Sequence, residues 1–145
     1  MLKTALNYNC AVIKNVKHHR VDKEGKDSYK FIEAGAFYSV IQNINGGTAI
    51  FFKEKNNELE NIINWLEKGL YEIDVILTEG FRNVNNPTVL CVANYQEIEE
   101  QLNNNVKLIT GLLFLEERNK KSIHNIPIIN IETDFKQFLE IFSFN

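Results

Sequence analysis

The chain has 145 residues, of which 44% are hydrophobic and 24% charged, and its formal net charge is −3. This length predicts a single domain over residues 1–145, and the acidic balance argues against a dedicated nucleic-acid-binding protein. The longest apolar run, LITGLLFL at 108–115, is much shorter than the roughly 20 residues of a membrane span. Since no signal-peptide pattern opens the sequence, a soluble cytoplasmic protein is expected.

The first elements in chain order are a strand and a short helix. CAVI at 10–13 is a continuous apolar run, typical of a parallel strand that is buried on both faces. KDSYKFIEAG at 26–35 predicts a short helix that Asp27 opens and that ends near Gly35.

A hairpin is predicted next. In AFYSVIQNINGGTAIFFKE at 36–54, two β-rich runs flank Asn45, Gly46 and Gly47. Asn-Gly between such runs is a strong hairpin signal. This segment is the one break in the alternation of strands and helices along the chain.

Three helical patterns follow the hairpin, each with its apolar residues on one face. Two of them open on an asparagine N-cap, Asn57 or Asn94, with a glutamate three residues later, the capping-box arrangement. The helices are predicted at 56–69, 94–102 and 134–142, with inward faces of Leu59, Ile62, Ile63 and Leu66, of Ile98 and Leu102, and of Phe135, Phe138, Leu139 and Phe142.

Further apolar runs between these helices predict buried strands. IDVILT at 73–78 is followed by Glu79, so this strand would present a carboxylate at the carboxyl edge of a parallel sheet, where ligands bind. VKLITGLLF at 106–114 and IPIINI at 126–131 complete the set. The predicted fold class is α/β, a mostly parallel sheet flanked by helices with one antiparallel hairpin.

The segment 14–30 is a basic loop followed by the start of the first predicted helix. It holds six bases and three acids, a net charge of +3 on a chain whose total is −3. Such a window is typical either of an anion-binding edge or of a solvated loop. Within it, EGKDS at 24–28 approaches the G-K-[ST] that ends a phosphate-binding loop. Arg20 stands where the first glycine of G-x-x-x-x-G-K-[ST] belongs and Asp27 interrupts the motif, so this is not a Walker A sequence.

Two other groups of residues bear on metal binding and catalysis. Glu79 could hold Mg²⁺ through water or orient an attacking water, or it could be an acid at a strand-to-loop junction with no such role. His18 and His19 lie near Asp22, but no H-x-x-x-H or Cys/His spacing supports a zinc site. The two cysteines at positions 10 and 91 form no C-x-x-C motif and predict reduced, buried side chains in a cytosolic protein.

Taken together, YNCAVIKNVKHH, DKEGKDSYKFIEAGA and DVILTEGFR resemble the molybdopterin-guanine dinucleotide biosynthesis protein B family, MobB. Members typically carry an A-V-I-K strand, a His-rich loop, an acid before P-G-K-D-[ST], a helix ending in E-A-G-A and a strand ending in V-E-G-F. These features fall on Ala11–Lys14, His18–His19, Asp22 with Gly25–Ser28, Glu33–Ala36 and Thr78–Phe81. The tail NIPIINIETDFKQFLEIF also resembles the ending of the family.

The resemblance implies a P-loop NTPase-like fold that binds GTP and Mg²⁺ and acts in molybdenum cofactor maturation. The family assists a molybdopterin guanylyltransferase-type enzyme, which joins GMP to molybdopterin, and its members are usually homodimers with GTPase activity. In the family, GKDS lies in a loop separate from the Walker A motif and faces the nucleotide like a switch segment. The implied nucleotide-binding residues are Lys14, His18, His19, Asp22, Gly25, Lys26, Asp27, Ser28 and Gly80, with Glu79 as the catalytic and metal-binding residue.

One departure from the family bears on activity. MLKTALNY at 1–8 looks like the end of a helix that, in the family, follows a strand and the Walker A loop. Losing only three bonds to charged phosphates would remove roughly 4–9 kcal/mol of binding free energy. The site as written is therefore expected to be incomplete, with GTP binding that is millimolar or absent, and whether the chain is an enzyme stays open.

Three hypotheses follow. The first is an accessory protein of molybdenum cofactor biosynthesis with a deficient nucleotide site. The second is a full GTPase whose first ~20 residues, the length of a strand plus a P-loop, precede this sequence. The third is a diverged, non-enzymatic binding or scaffold module that dimerises through a sheet edge such as the hairpin at 37–53.

Overall fold

The computed structural model describes residues 1–53, 58–116 and 121–144, and of residues 115 and 116 it describes the backbone alone. The chain divides into two compact units, Met1–Arg82 and Asn83–Asn145. The first unit contains α1 (Leu2–Leu6), β1 (Cys10–Lys14), α2 (Asp27–Glu33), β2 (Tyr38–Gln42), β3 (Thr48–Phe52), α3 (Leu59–Glu67) and β4 (Val75–Glu79). The second contains β5 (Thr88–Cys91), α4 (Tyr95–Gln101), β6 (Val106–Thr110), α5 (Leu113–Glu116), β7 (Ser122–Ile123), β8 (Ile126–Pro127) and α6 (Phe135–Ile141). The single domain over 1–145 stays a prediction.

The strands of the described residues pair two by two, and the α/β class is confirmed. In the first unit, β1 and β4 are parallel, with a register that runs from Cys10 opposite Val75 to Lys14 opposite Glu79. In the second unit, β5 and β6 are parallel, and the short β7 and β8 are antiparallel. None of the helices in the described segments is long and apolar enough to cross a membrane.

The predicted hairpin is confirmed as β2 and β3. Its turn is organised by Asn43, whose side-chain oxygen accepts hydrogen bonds from the backbone of Asn45 at 2.9 Å and Gly47 at 3.0 Å. Asn favours such turns because its side chain forms hydrogen bonds with the nearby backbone. Gly favours them because it adopts backbone conformations that are strained for other residues. The turn therefore sets the strand register, with Tyr38 opposite Phe52.

The helices of the first unit agree with the sequence pattern. Helix α2 has Lys26 as its N-cap residue, and Asp27 lies in its first turn, where a carboxylate is favoured by the helix dipole. Helix α3 begins at Leu59, and the predicted N-cap Asn57 lies outside the described residues. The predicted inward face of α3, which is Leu59, Ile62, Ile63 and Leu66, is half-buried.

The second unit holds the larger apolar core. The core cluster consists of Leu90, Val92, Ile98, Val106, Ile109, Leu113, Ile123 and Ile128. The predicted N-cap of α4, Asn94, is confirmed, but the Glu97 carboxylate reaches the backbone of Ala93 and not that of Asn94 as in a capping box. The Asn94 side chain accepts a hydrogen bond from the Glu97 backbone at 3.1 Å, while the Glu97 carboxylate accepts one from Ala93 at 2.8 Å. The first bond satisfies a backbone donor that the first turn of a helix leaves without a partner, and the second satisfies the residue before the cap.

Two strand predictions in the second unit need correction. The strand predicted at 106–114 ends at Thr110, because the chain turns at Gly111 and continues as α5. Apolar periodicity cannot separate a buried strand from a buried helix in so short a run, and Leu113 of α5 is fully buried. Of the strand predicted at 126–131, only β8 and one isolated parallel bridge between Ile128 and Ile109 form.

Two strands, β5 and β7, and the exposure of the cysteines were also not anticipated. Strand β5 has only four residues and follows Pro87, so its apolar run is too short to stand out. The prediction of buried cysteines is wrong, since Cys10 and Cys91 are free thiols that are exposed. Cys10 begins β1 and Cys91 ends β5, and at these strand ends both side chains face solvent.

Replacing Gly111 tests the turn that ends β6. Gly111 has a φ of 107°, and a Cβ there would lie 2.4 Å from the backbone oxygen of Val92. We expect Gly111→Ala to lower the free energy of unfolding by roughly 2–5 kcal/mol, because left-handed strain costs about 1–2 kcal/mol and overpacking adds about 1–3 kcal/mol. Urea unfolding followed by circular dichroism measures this loss.

Gly35→Ala is the matched control for that experiment. Gly35 has a similar φ of 103°, but nothing lies within 4 Å of its added Cβ. Only the strain of about 1–2 kcal/mol is expected there. Equal losses in the two variants would contradict the close approach of Gly111 to Val92.

Candidate functional site

The carboxyl ends of β1 and β4 bring a cation and an anion together. Lys14 Nζ lies 2.9 Å from Glu79 Oε1, and the two side chains are 61% and 65% exposed. Ion pairs this exposed contribute only about 0–1 kcal/mol to stability. Both groups can therefore leave each other at little cost to contact a phosphate or a divalent cation. The predicted strand-end placement of Glu79 matches the position it has in the structure.

The backbone just beyond this pair is tightly joined. The Asn15 N–H donates to the Glu79 carbonyl at 2.8 Å, and the Asn15 side chain donates to the Gly80 carbonyl at 3.4 Å. Gly80 has a φ of 82°, and a Cβ on it would lie 3.0 Å from the Asn15 carbonyl oxygen. Glycine is therefore required for the loop after β4 to approach β1. Sequence reasoning selected Gly80 but missed Asn15, whose role depends on strand pairing.

A second group of predicted residues orders the loop before α2. The Ser28 hydroxyl donates to Asp22 Oδ1 at 2.9 Å, and Ser28 is only 3% exposed. The Lys26 N–H donates to the Lys23 carbonyl at 3.2 Å, which closes a turn around Gly25. Asp22 and Ser28 thus hold the loop in place, with the Ser28 side chain turned into the protein.

The other predicted residues of this loop face solvent. His18, His19, Lys26 and Asp27 are exposed, and Asp27 lies 3.7 Å from Lys30 in an (i, i+3) pair. His19 Nδ1 lies 3.3 Å from the backbone oxygen of Arg20. Within the described segments, no group of three or more His, Cys, Asp or Glu side chains is arranged to hold a metal ion. The metal assignment of Glu79 therefore rests on one carboxylate and stays a prediction.

The predicted site residues form two separate clusters in the part of the chain that the structure describes. One is the strand-end pair of Lys14 and Glu79 with Gly80, and the other is the loop that contains Asp22 and Ser28. No hydrogen bond or ion pair joins the two clusters among the described residues. That both clusters face one bound nucleotide therefore stays a prediction.

A groove that the sequence did not predict lies beside the second cluster. It encloses about 730 Å³ and is lined by Arg20, Val21, Asp22, Tyr29, Ile32, Glu33, Phe51, Phe52 and Lys53. Volumes of about 300–1,000 Å³ are typical of small-molecule sites. The groove was missed because its walls come from a loop, α2 and β3, which only the tertiary fold brings together.

Charged groups on the groove walls are held in fixed pairs. Arg20 donates to the Tyr29 hydroxyl at 3.1 Å, and this hydrogen bond raises the pKa of Arg20. The guanidinium carbon also lies 5.7 Å from the centre of the Tyr29 ring. Lys53 Nζ lies 2.6 Å from Glu33 Oε1, and this hydrogen bond lowers the pKa of Glu33. Both shifts favour the charged forms of Arg20 and Glu33.

Comparison with known proteins now assigns the family. Residues 2–112 match the family model for MobB, the molybdopterin guanine dinucleotide synthesis protein B. The chain belongs to the MobB family. The resemblance noted from AVIK, GKDS, EAGA and TEGF is thereby confirmed, and the match covers well over half of the chain.

Individual relatives agree with this assignment. Over 73 residues the chain is 38% identical to a protein of Methanocaldococcus jannaschii described as a putative molybdopterin-guanine dinucleotide biosynthesis adapter protein. That match spans 50% of this chain but only 29% of the length of that relative.

Solved structures show the fold. The chain is similar to Bacillus subtilis MobB, with a TM-score of 0.68 and 19% identity, over 96% of this chain and 83% of that one. It is also similar to a MobB homologue from Bacillus stearothermophilus, with a TM-score of 0.61 and 14% identity, over 97% and 83% of the two chains. The fold is thus the α/β fold of these MobB structures.

Replacing Ser28 tests whether its hydroxyl orders the loop before α2. Ser28→Ala is expected to lower the free energy of unfolding by about 1–3 kcal/mol, because it removes a buried hydrogen bond to a carboxylate. Chemical denaturation measures the loss, and a hydrogen–deuterium exchange experiment on residues 20–28 reports the loosening of the loop.

Ser39→Ala is the matched control, since Ser39 is 4% exposed and its hydroxyl has no hydrogen-bond partner among the described residues. Removing an unsatisfied hydroxyl is expected to change stability by less than about 0.5 kcal/mol or to raise it. A Ser39 variant as unstable as the Ser28 variant would show that the loss came from packing rather than from the bond to Asp22.

Proposed function

We propose that this MobB-family protein is an accessory factor in molybdenum cofactor biosynthesis that assists the formation of molybdopterin guanine dinucleotide. The family match over residues 2–112 and the description of the M. jannaschii relative as an adapter protein support the proposal. An adapter has a partner, and the reaction named by the family indicates a molybdopterin guanylyltransferase-type enzyme in that role. A cytoplasmic location is part of the proposal.

The observation that carries the proposed nucleotide site is the pair of Lys14 and Glu79. In open α/β sheets, ligands bind at the carboxyl ends of parallel strands, and this pair occupies such ends on adjacent strands. Lys14 would contact a phosphate of GTP, while Glu79 would hold Mg²⁺ through water or orient an attacking water. Magnesium would supply positive charge against the phosphates when it is bound.

The basic loop would contribute further contacts. Its exposed cation Lys26 and the exposed His18 and His19 are available for an anion, whereas Asp22 and Ser28 hold the loop in shape. Asp27, at the start of α2, adds a carboxylate that lies 3.7 Å from Lys30. The loop would therefore sense the charge of the nucleotide, as expected of a switch-like segment.

The accessory role is tested in a reconstituted reaction. A molybdopterin guanylyltransferase is supplied with molybdopterin and Mg-GTP, and the dinucleotide formed is measured by chromatography with and without the protein. We expect the protein to increase the yield or rate, and we expect Glu79→Gln and Lys26→Gln to reduce this increase. Equal product with and without the protein would contradict the accessory role.

Nucleotide affinity is tested separately by isothermal titration with Mg-GTP. The 145 residues contain no Walker A sequence, so three or more strong phosphate contacts are absent, and a millimolar Kd or no binding is expected. In the reconstituted reaction, Lys23→Gln is the control for Lys26→Gln, because it removes the same charge from the same loop. Micromolar binding by the 145-residue chain would contradict the expectation of an incomplete site.

A second candidate is a binding or scaffold module that dimerises through the hairpin. It is favoured by exposed apolar side chains on β2 and β3, since Val40, Ile41 and Ile50 are 60%, 45% and 42% exposed. Val40 and Ile50 are paired across the two strands and so share one face of the hairpin, whereas Ile41 lies on the other. Neighbouring exposed apolar residues such as Val40 and Ile50 are typical of interaction surfaces. A homodimer is compatible with both candidates.

The dimer is tested by size-exclusion chromatography with light scattering. We expect twice the monomer mass, and we expect Val40→Lys to shift the protein toward the monomer because it places a charge on the apolar face. Lys17→Gln, an exposed change outside the hairpin, should leave the mass unaltered. A strict monomer at all concentrations would remove the dimer from both candidates.

A further inference from the structure

The tip of the β2–β3 hairpin carries the one Asn-Gly pair of the sequence, Asn45 and Gly46. Both residues are exposed, and nothing lies within 4 Å of the position that a Cβ on Gly46 would take. The residue before them, Ile44, is fully exposed as well. Solvent therefore reaches both the side-chain amide of Asn45 and the peptide bond that follows it.

This pair is chemically reactive as well as exposed. The backbone nitrogen of Gly46 can attack Cγ of Asn45, which closes a five-membered imide ring. The bond from Cγ to the side-chain nitrogen breaks, and ammonia leaves with the proton that the Gly46 nitrogen gives up. Glycine favours this attack because it has no side chain to obstruct the approach of its nitrogen. A β-branched residue after the asparagine, as in Asn83 before Val84, crowds the same approach.

The turn holds the attacking nitrogen by a single backbone hydrogen bond. The Gly46 N–H donates to the Asn43 carbonyl at 3.1 Å, whereas the side chain of Asn43 accepts from the N–H groups of Asn45 and Gly47. The side-chain amide of Asn45 has no hydrogen bond among the residues that the structure describes. Cγ of Asn45 is therefore open to attack, and the nitrogen is released whenever this exposed turn opens locally.

We propose that Asn45 is a site of spontaneous deamidation, at which local opening of the hairpin turn lets the Gly46 nitrogen form the imide. Water then opens the ring at one of two bonds. Cleavage between the Gly46 nitrogen and Cγ gives aspartate, whereas cleavage between that nitrogen and the backbone carbonyl carbon of Asn45 gives isoaspartate. Either product adds a negative charge at the hairpin tip. The reaction needs only water and does not involve the proposed nucleotide site.

Isoaspartate would alter the hairpin itself. It inserts one more carbon into the backbone between residues 45 and 46. The turn is closed by two backbone bonds of Asn43, from Gly46 at 3.1 Å and to Gly47 at 2.9 Å, and the longer path changes the spacing that these bonds need. Because the turn sets the register of β2 and β3, we expect isoaspartate to loosen the strand residues next to the turn.

The modification is measured on the full chain by peptide mapping with mass spectrometry during incubation at mildly alkaline pH. Isoaspartate is counted with a protein isoaspartate methyltransferase as the probe. We expect Asn45 to convert at least about 10-fold faster than Asn83, where Val84 crowds the attack. Conversion is expected to slow at mildly acidic pH, because the attacking nitrogen must lose its proton.

Variants of the turn test the route. Asn43→Ala removes the side-chain bonds to Asn45 and Gly47 and is expected to accelerate conversion by about 5- to 30-fold, because the turn opens more often. Gln42→Ala is the matched control, since Gln42 is the exposed neighbour and its side chain has no hydrogen bond among the described residues. Asn45→Gln is expected to stop conversion at this position, because the ring would need an additional atom.

The outcomes distinguish a reactive turn from a protective one. Conversion of Asn45 in the folded chain, with acceleration by Asn43→Ala, supports the proposal. Survival of Asn45 for as long as Asn83 overturns it, and so does conversion that occurs only in urea, because the folded turn then protects the residue. Equal rates in the unaltered chain and in Asn43→Ala overturn the route through turn opening. Unchanged hydrogen–deuterium exchange of the hairpin in the isoaspartate form overturns the expected loosening.

Discussion

The parallel pairing of β1 with β4 is the constraint on which the candidate nucleotide site depends. At one end of the pair, the Asn9 N–H donates to the Asp74 carboxylate at 2.7 Å. At the other, Asn15 donates to Glu79 at 2.8 Å. Isolated two-stranded sheets are marginally stable, so such bonds at both ends help to hold the register. Because the strands run in the same direction, their carboxyl ends coincide and bring Lys14 to Glu79.

The two units differ in how much apolar surface they bury. The second has a contiguous core cluster, whereas among the described residues of the first unit the buried hydrophobic side chains are Leu2 and Ile13. The first unit also leaves Val12 67% exposed. Since local stability follows apolar burial, the unit that holds the candidate sites is the one expected to open more easily. Ligand or partner contacts would stabilise it by mass action.

Local signals predicted the elements that local physics decides. The hairpin follows from the Asn-Gly turn, whose backbone needs only nearby side chains, and the N-cap bond of Asn94 follows from a spacing of three residues. Glu79 was placed correctly because an acid after an apolar run ends a strand. The end of β6 at Gly111 was missed because it depends on Val92, a residue nineteen positions earlier. Any side chain at position 111 would collide with the backbone of Val92.

By itself, the sequence determined the α/β class, the order of the hairpin and the main helices, and the family, since these depend on periodicity, turn residues and short motifs in fixed order. The tertiary structure alone decided which of the motif residues meet. It paired Lys14 with Glu79, turned Ser28 inward onto Asp22, and built the groove between Arg20 and Lys53. Some of these contacts join residues that are distant in the chain, and others depend on the direction in which a side chain points. Neither can be read from a local sequence pattern.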